Sequence, residues 1–547
     1  MNGLAANLAP CMLLALIPIL ASGVPVVLGL IGCGLLFGAI GALMGAIPLQ
    51  LIGALPIRLE FIVANESLLA IPFFTFMGML LQRSGIAEDL LETAGRVFGP
   101  VRGGLAIAAI LVGALLAAAT GVVAASVISL ALISFPAMQK AGYDPRVASG
   151  VVTSTGTLTQ IVPPSLVLIV IAEQMNMSLG DVYAGVLIPA ALLIALYILW
   201  VLCLGWLKPQ WVPAVAPATL RPGARGGHLS LAALMAVSAA CGVALTQAYP
   251  RLVRASGRFA APGADELVIV CVGSTLIVAF CLALLERAAR LNRLSPLARR
   301  VAFVLVPPLL LIFAVIGSVF LGVATPTESG ALGALAALGL ARARGRIDRA
   351  DLELALFDTV RLCCVVMVLL FGATAFSLTF QALDGSAWVR HALGDLPGGP
   401  AGFLAIVMAV VFVLGMFLDF FELAVIMLPI VAPVAAHLGI HPVWFAVLMG
   451  LNLQTSYLTP PFGFALFYLR GAVPHDDVVA IGGEVTRKGI ATRQIYWGAA
   501  PFIAIQVLVM AIVILNPDLV LSLLDRPVRM DSAEVERLID EMGRAGR

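Results

Sequence analysis

Residues 153–165 read TSTGTLTQIVPPS, and residues 454–462 read QTSYLTPPF. Each is a run of hydroxyl and amide side chains ending in Pro-Pro, set inside apolar sequence long enough to span a membrane. The two are copies. Sliding the chain by 297 positions lays Pro136 on Pro433, Gly142 on Gly439, Pro145 on Pro442, Pro163 on Pro460 and Pro164 on Pro461. FPAMQKAGYDP (135–145) thereby meets APVAAHLGIHP (432–442). Gly and Pro fix backbone geometry, so a shared register of them marks a structural repeat. Hydrophobic segments interrupted at matching places in two halves of a chain point to the binding site of a secondary transporter.

The surrounding composition sets the class. Of 547 residues, 61% are hydrophobic and 11% charged, where soluble domains run near a quarter charged. A helix needs about 20 apolar residues to cross a bilayer, and such runs recur from residue 11 to residue 524. The expected fold is an all-α polytopic membrane protein. A barrel would alternate apolar and polar residues. Net charge is +2, which gives no argument for nucleic acid. The eight Cys have no framework spacing and read as small core residues. The N-terminus lacks a basic leader and reads as a first span. There is no HExxH, no usable GxSxG and no GxxxxGK, so neither a hydrolase nor an ATP-driven pump is supported.

Simple spans are expected at 8–27, 28–46, 64–82, 182–206, 229–248, 266–286, 301–321, 326–342, 357–382 and 496–524. The repeats, 103–174 and 400–470, parse instead as a re-entrant hairpin followed by a Pro-broken helix. The chain then divides into N-terminal scaffold helices (1–102), transport repeat 1 (103–174), a scaffold helix (175–208), a two-helix insertion (209–300), scaffold helices (301–399), transport repeat 2 (400–470), a C-terminal scaffold helix (471–524) and a charged soluble tail (525–547). Arg83, Arg96, Arg102, Lys140 and Arg146 surround the first hairpin. None of the residues from His391 to Leu469 is Lys or Arg. Basic loops are cytoplasmic, and seven crossings separate the hairpins, so charge and count both make the repeat inverted. Arg251, Arg254 and Arg258 fall on the wrong side of this map. The loop bearing Arg287, Arg290, Arg293, Arg299 and Arg300 reads as cytoplasmic.

Two adjacent prolines remove helical hydrogen bonds and clash with the preceding turn. They should end one half-helix near Leu158 and start another near Pro163, with Pro in its first turn. Free carbonyls and the side chains of Thr153, Ser154, Thr155, Thr157, Thr159 and Gln160, with Gly156 among them, suit a small hard cation. Free N–H groups suit a carboxylate. Unwound backbone at membrane depth must be buried or line a wet cavity. The competing reading is a Pro-kinked helix whose hydroxyls bond back to their own carbonyls. The second copy supplies Asn452, Gln454, Thr455, Ser456 and Thr459 before Pro460-Pro461.

The first hairpin should turn at Ala119-Thr120-Gly121, with Ser126 just beyond. The equivalent tip precedes Asp419 and Glu422. Buried ionisable residues in a membrane default to function, yet this pair also has N-cap and N3 spacing. Thr325, Pro326, Thr327 and Glu328 read as a capping box with Pro at N1, and Asn65-Glu66 as another helix start. His228, His391, His437, His441 and His475 form no ligand pair.

The ordered set SLLAIPFFTFMGMLL, GGLAIAAILVGALLAAATG, FPAMQKAGYDP, IVPPSLVLIVIA, GVATPTESGALGAL, FLDFFELAVIMLPIVAPV and NLQTSYLTPPFGFALF resembles the large, DctM-like membrane subunit of the tripartite ATP-independent periplasmic (TRAP) transporters, over most of 1–208 and 301–524. The resemblance implies Na⁺-coupled uptake of an organic acid, commonly a carboxylate, across the bacterial inner membrane. It implies a small four-helix (DctQ-like) membrane subunit and a periplasmic (DctP-like or TAXI-like) binding protein as partners. It implies a transport domain of hairpins and broken helices that moves as an elevator, as in the wider ion-transporter superfamily. The ion sites would lie at the Thr120-Gly121 tip with Thr153–Gln160, and at the Asp419 tip with Asn452–Thr459. No other cofactor is expected, and no enzyme activity. Two departures stand out. The insertion is foreign to the family's pattern, and the tip AATGVVAAS replaces a common Ser-Gly-Ser run. The alternatives are a stand-alone ion-coupled organic anion carrier, a membrane-embedded enzyme using Asp419 and Glu422, and a passive channel.

Overall fold

A computed structural model describes residues 7–48, 53–214, 224–255, 263–290, 293–394, 397–474, 478–479, 485–487 and 489–524. The tail 525–547, most of the 213–227 linker, Arg258 and His475 lie outside the described residues. Among the described residues, 9 helices are long and apolar enough to cross a membrane, or up to 11 if each of two bent pairs counts as one span.

The chain runs α1 (Leu8–Ala21), α2 (Val26–Leu43), α3 (Leu55–Val63), a 3-10 turn (Glu66–Leu69), α4 (Ala70–Arg83), α5 (Ile86–Phe98), α6 (Gly104–Thr120), α7 (Val123–Lys140), α8 (Pro145–Thr157), a 3-10 turn (Leu158–Gln160), α9 (Leu166–Gln174) and α10 (Leu179–Leu207). Then follow α11 (Ala224–Ala255), α12 (Ala264–Ala288), α13 (Pro296–Val304), α14 (Val306–Phe320), α15 (Pro326–Ala343), α16 (Arg349–Ala382), α17 (Gly385–Gly394), α18 (Gly399–Leu414), α19 (Phe420–His437), α20 (Pro442–Leu458), α21 (Phe464–Ala472), α22 (Thr492–Leu515) and α23 (Asp518–Leu521). A two-stranded antiparallel pairing, Val478–Val479 with Val485–Arg487, is the sheet among the described residues.

Three helices were not anticipated. α3 is joined to the 66–83 stretch at a 48° bend. The amphipathic α5 buries Ile86, Ala87, Leu90, Leu91 and Ala94, and the short α17 precedes the second hairpin. The first span stops at Ala21 rather than 27, because Ser22-Gly23 closes the helix and Gly23 takes φ +78°.

Charges gather on one side around α5. Asp89 Oδ2 lies 3.1 Å from Arg344 Nη1 and 3.1 Å from Arg346 Nη1. Glu92 pairs with Arg300 and Arg96, and Arg83 with Asp358. Burial raises the Glu92 carboxyl, but the two guanidiniums outweigh it and hold its pKa below the ordinary value. The loops after α4, α12 and α15 thus share a face.

The helix α22 fixes how the two copies sit. A Cβ on Gly498 would lie 2.1 Å from the Arg146 carbonyl oxygen, and one on Gly150 would lie 2.1 Å from the Gly498 oxygen. Glycine there lets α22 touch the first turns of α8 backbone to backbone. Near the other end of α22, Trp444 Nε1 donates to the Val513 carbonyl at 2.9 Å. At 1.5 Å rise per residue these contacts are about 22 Å apart. The starts of α8 and α20 therefore lie at opposite ends of one spanning helix. α10 and α22, set apart as scaffold in the sequence reading, pack directly on the broken helices.

The insertion is an antiparallel pair. A Cβ on Gly242 would meet Thr275 Oγ1 at 2.1 Å, and Leu234 clusters with Ala283. The pair leans on α14, where Gly317 faces Ile269.

Candidate functional site

The break in the first copy is longer than the prolines alone require. α8 ends at Thr157, the 3-10 turn carries Leu158–Gln160, and α9 begins at Leu166 with Ser165 as its N-cap. The expected start near Pro163 is therefore displaced, and the second copy behaves alike, with α21 beginning at Phe464. Pro163-Pro164 and Pro460-Pro461 lie in the connecting loops, and both Pro-Pro bonds are cis. The physical reason lies in the residue before a proline. It is pushed away from the helical region, and the first proline of each pair is itself such a residue, so neither half-helix starts there.

Every polar side chain of the first break is buried: Thr153, Ser154, Thr155, Thr157, Thr159 and Gln160 are each 0% exposed. Most of the hydroxyls do bond back. Thr153 donates to Ser149 O (2.9 Å), Ser154 to Val151 O (3.3 Å), Thr157 to Ser154 O (2.8 Å) and Thr159 to Gly156 O (2.5 Å). Ser165 Oγ donates to the Gln160 carbonyl at 3.1 Å. Thr155 Oγ1 and both amide atoms of Gln160 make no hydrogen bond. A buried polar group without a partner costs about 1–3 kcal/mol, and Thr155 Oγ1 and the Gln160 amide are the unsatisfied atoms of this break.

The first hairpin tip closes over this break. Thr120 Oγ1 lies 2.7 Å from Ser126 Oγ, which lies 3.3 Å from Thr159 Oγ1. Gly121 takes φ +63°, and a Cβ on it would lie 2.6 Å from Leu166 Cγ at the start of α9. Gly113 faces Thr155, where a Cβ would meet Thr155 Cγ2 at 2.1 Å.

The second copy repeats the arrangement with different chemistry. Thr455 donates to Leu451 O (2.7 Å), Ser456 to Leu453 O (2.9 Å) and Thr459 to Thr455 O (2.7 Å). Asn452 Nδ2 donates to Met408 O at 2.7 Å, tying α20 to the hairpin arm α18. Asn452 Oδ1 and both amide atoms of Gln454 make no well-formed hydrogen bond, although Gln454 stands close to the Tyr197 hydroxyl. A Cβ on Gly415 would lie 2.2 Å from Ser456 Oγ, so this tip also sits against its own broken helix.

Asp419 and Glu422 form a capping box at the start of α19. Asp419 Oδ1 accepts from Phe421 N at 3.0 Å, and Glu422 Oε2 accepts from Asp419 N at 3.2 Å. Asp419 Oδ2 accepts from Tyr457 OH at 2.7 Å. The cap and the contact to the break thus share one carboxylate. At the other expected cap, Glu328 N donates to Thr325 Oγ1 (3.3 Å) and Thr325 N to Glu328 Oε2 (2.8 Å), with Pro326 at N1. Thr327 Oγ1 donates to Glu66 O at 2.5 Å. Pro326 lines a cavity of about 320 Å³ together with Ile169, Ala172 and Glu173 of α9, the half-helix that follows the first break.

The first break also packs against the helix α20 of the second copy: a Cβ on Gly450 would lie 3.3 Å from Ile161 Cδ1. Two residues missed in the sequence join the breaks to their neighbours. Gln506 of α22 donates from Nε2 to Tyr197 OH (2.7 Å) and to Thr157 Oγ1 (3.3 Å). A lone Gln in the apolar run 496–524 was the available signal. Tyr457 stood within the quoted repeat, but its aromatic ring disguised a donor.

The profile of the family described as "Tripartite ATP-independent periplasmic transporter, DctM component" matches residues 13–519. The C4-dicarboxylate TRAP transporter large permease protein DctM of Pseudomonas aeruginosa is 25% identical over 76% of this chain and 79% of its own. The uncharacterized protein YgiK of Salmonella typhimurium is 28% identical over 82% and 85%. The sialic acid TRAP transporter large permease protein SiaM of Vibrio cholerae is 24% identical over 74% and 77%. Among solved structures, the Alcanivorax borkumensis YdaH transporter aligns with a TM-score of 0.48 at 12% identity, covering 85% of this chain and 86% of that one. The match across nearly the whole chain makes this protein a multi-pass membrane member of the DctM family, the large permease component of TRAP transporters, which are transporters and not enzymes.

Proposed function

We propose that this chain is the large permease of a Na⁺-coupled TRAP system that takes up an organic acid, a carboxylate in the first instance, across the bacterial inner membrane. A periplasmic binding protein delivers the acid, and a small four-helix subunit sits beside the permease. The observation that carries this is the pair of opened helices, each closed by a hairpin tip and each holding buried oxygens without partners: Thr155 Oγ1, Gln160 Oε1, Asn452 Oδ1 and Gln454 Oε1. Neutral hydroxyl and amide oxygens are hard donors that suit a small monovalent cation. Relatives named for C4-dicarboxylate and for sialic acid transport support a carboxylate substrate. The opposite-facing starts of α8 and α20 support an inverted repeat. In this reading α6–α9 and α18–α21 form the moving body of an elevator.

The chemistry follows from burial. A cation entering either break exchanges its water for oxygens that otherwise lack partners. The half-helix starts at Leu166 and Phe464 present N–H groups to an anion beside it. Neither charge is stable there alone, which couples their movement.

The test is uptake into proteoliposomes with the cognate binding protein and small subunit. Accumulation should require an inward Na⁺ gradient. Uptake that persists unchanged in Na⁺-free buffer refutes the coupling. Uptake that needs neither partner favours a stand-alone carrier, with the α11–α12 pair in place of the small subunit.

A further inference from the structure

The starts of α8 and α22 flank a half-open cavity of about 410 Å³ lined by Arg146, Arg493, Gln494 and Trp497. It lies outside both breaks. Close by, Gly150 and Gly498 bring the first turns of the two helices to backbone contact. Arg146 and Arg493 each occupy the second position of their helix. The helix dipole makes that end electropositive already. Among the described residues, neither arginine has a carboxylate within salt-bridge distance. The nearest acid in sequence, Asp144, is engaged at its own helix start, where Oδ1 accepts from Arg146 N at 2.8 Å. Gln494 Oε1 accepts from Ala491 N at 3.1 Å, which leaves its amide donors for the cavity. Two guanidiniums, an amide and two positive helix ends make an anion site.

The outer wall says which anion. Trp497 is 61% exposed. Below it the exposed residues of α22 recur as Ala500, Ala504, Val507, Leu508, Ala511 and Leu515, an apolar stripe at helical spacing. On a membrane-spanning helix such a stripe faces acyl chains, and Trp marks the headgroup level. The cavity therefore opens onto the lipid surface. Lys208, stacked 3.9 Å over Trp211, lies on the same face, because Trp211 O accepts from Asp144 N at 3.0 Å. Basic pockets between membrane helices on the cytoplasmic side hold lipid headgroups.

We propose that this cavity binds the phosphate headgroup of an anionic phospholipid, with the acyl chains along the outer stripe of α22. A free phosphate offers the same charge but has no use for the stripe. The experiment is native mass spectrometry of the full-length protein purified with phosphatidylglycerol. The parent should retain one tightly held phosphatidylglycerol, and retention should weaken about fivefold for each arginine neutralised, so roughly twenty-five-fold for Arg146→Gln with Arg493→Gln. The pair Arg146→Lys and Arg493→Lys should keep most of it, and Trp497→Ala should weaken it with the arginines intact. If the double Gln variant fails to fold, Arg493→Gln alone and Trp497→Ala carry the test. Equal retention by parent and folded variants overturns the proposal. So does displacement of the lipid by millimolar inorganic phosphate, which would make the cavity a site for soluble anions, or its displacement by the purified small membrane subunit, which would make the stripe a protein interface.

Discussion

At the scale of the residue, the hydroxyls of the two breaks are not equivalent. Thr157 and Thr455 already donate to carbonyls of their own helices, and Thr157 also accepts from Gln506. Thr155 Oγ1 is held by nothing. Thr155→Val should therefore raise the Na⁺ concentration for half-maximal transport by about tenfold, the loss expected of one hydrogen-bond-like contact to a charge. Thr157→Val should raise it less. The check is the Na⁺ dependence of initial uptake rates in proteoliposomes, and the reverse ranking would remove Thr155 from the site. At the second tip, Asp419→Asn keeps a good N-cap while removing charge. Asp419→Ala should cost about 1 kcal/mol of stability, read by thermal unfolding in detergent. Asp419→Asn should melt with the parent and keep more than half of its transport. Loss of transport in a stably folded Asp419→Asn would show that the charge itself is needed.

At the scale of the element, glycine decides how closely the opened helices are held. Gly150 and Gly498 bring α8 and α22 to backbone contact, and Gly113 admits Thr155 beneath the hairpin arm. Gly150→Leu should destabilise the fold by about 3 kcal/mol, since the obstructing atoms are backbone and cannot yield. The measurement is the melting temperature of the purified protein. A substitution at Gly273, where a Cβ meets nothing within 4 Å, is the control and should be neutral. The hairpins and broken helices were legible in the sequence because Gly and Pro act locally. The length of each break was not. Where a half-helix resumes after a Pro pair depends on what covers the loop, and here that is the tip at Gly121 and the ring of Phe417, 4.9 Å from Phe462.

At the scale of the whole molecule, α22 reports the relation between the halves. Its start touches the first turns of α8, and its other end lies beside the start of α20. Single cysteines at Gly142 and Gly439, in a background without the native cysteines, should therefore react with an impermeant thiol reagent from opposite faces of the membrane. Labelling of both from one face would rule out the inverted arrangement. The charge cluster around α5 draws Asp89 toward Arg344 and Arg346, residues far apart in the sequence. Such pairs are individually worth little when exposed; their value here is to mark one common face.

The sequence by itself determined the class of the protein, its repeated halves, the positions of the breaks and the family resemblance. Hydropathy, Gly and Pro carry their meaning within a few residues and need no partner to express it. Only the tertiary structure decided which polar atoms remain without partners, that each hairpin tip meets its own break, that Gln506 links Tyr197 to Thr157, and that Arg146 and Arg493 share a cavity. Each depends on side chains brought together from distant segments, and whether a hydroxyl is satisfied or free is settled by the neighbour it finds there.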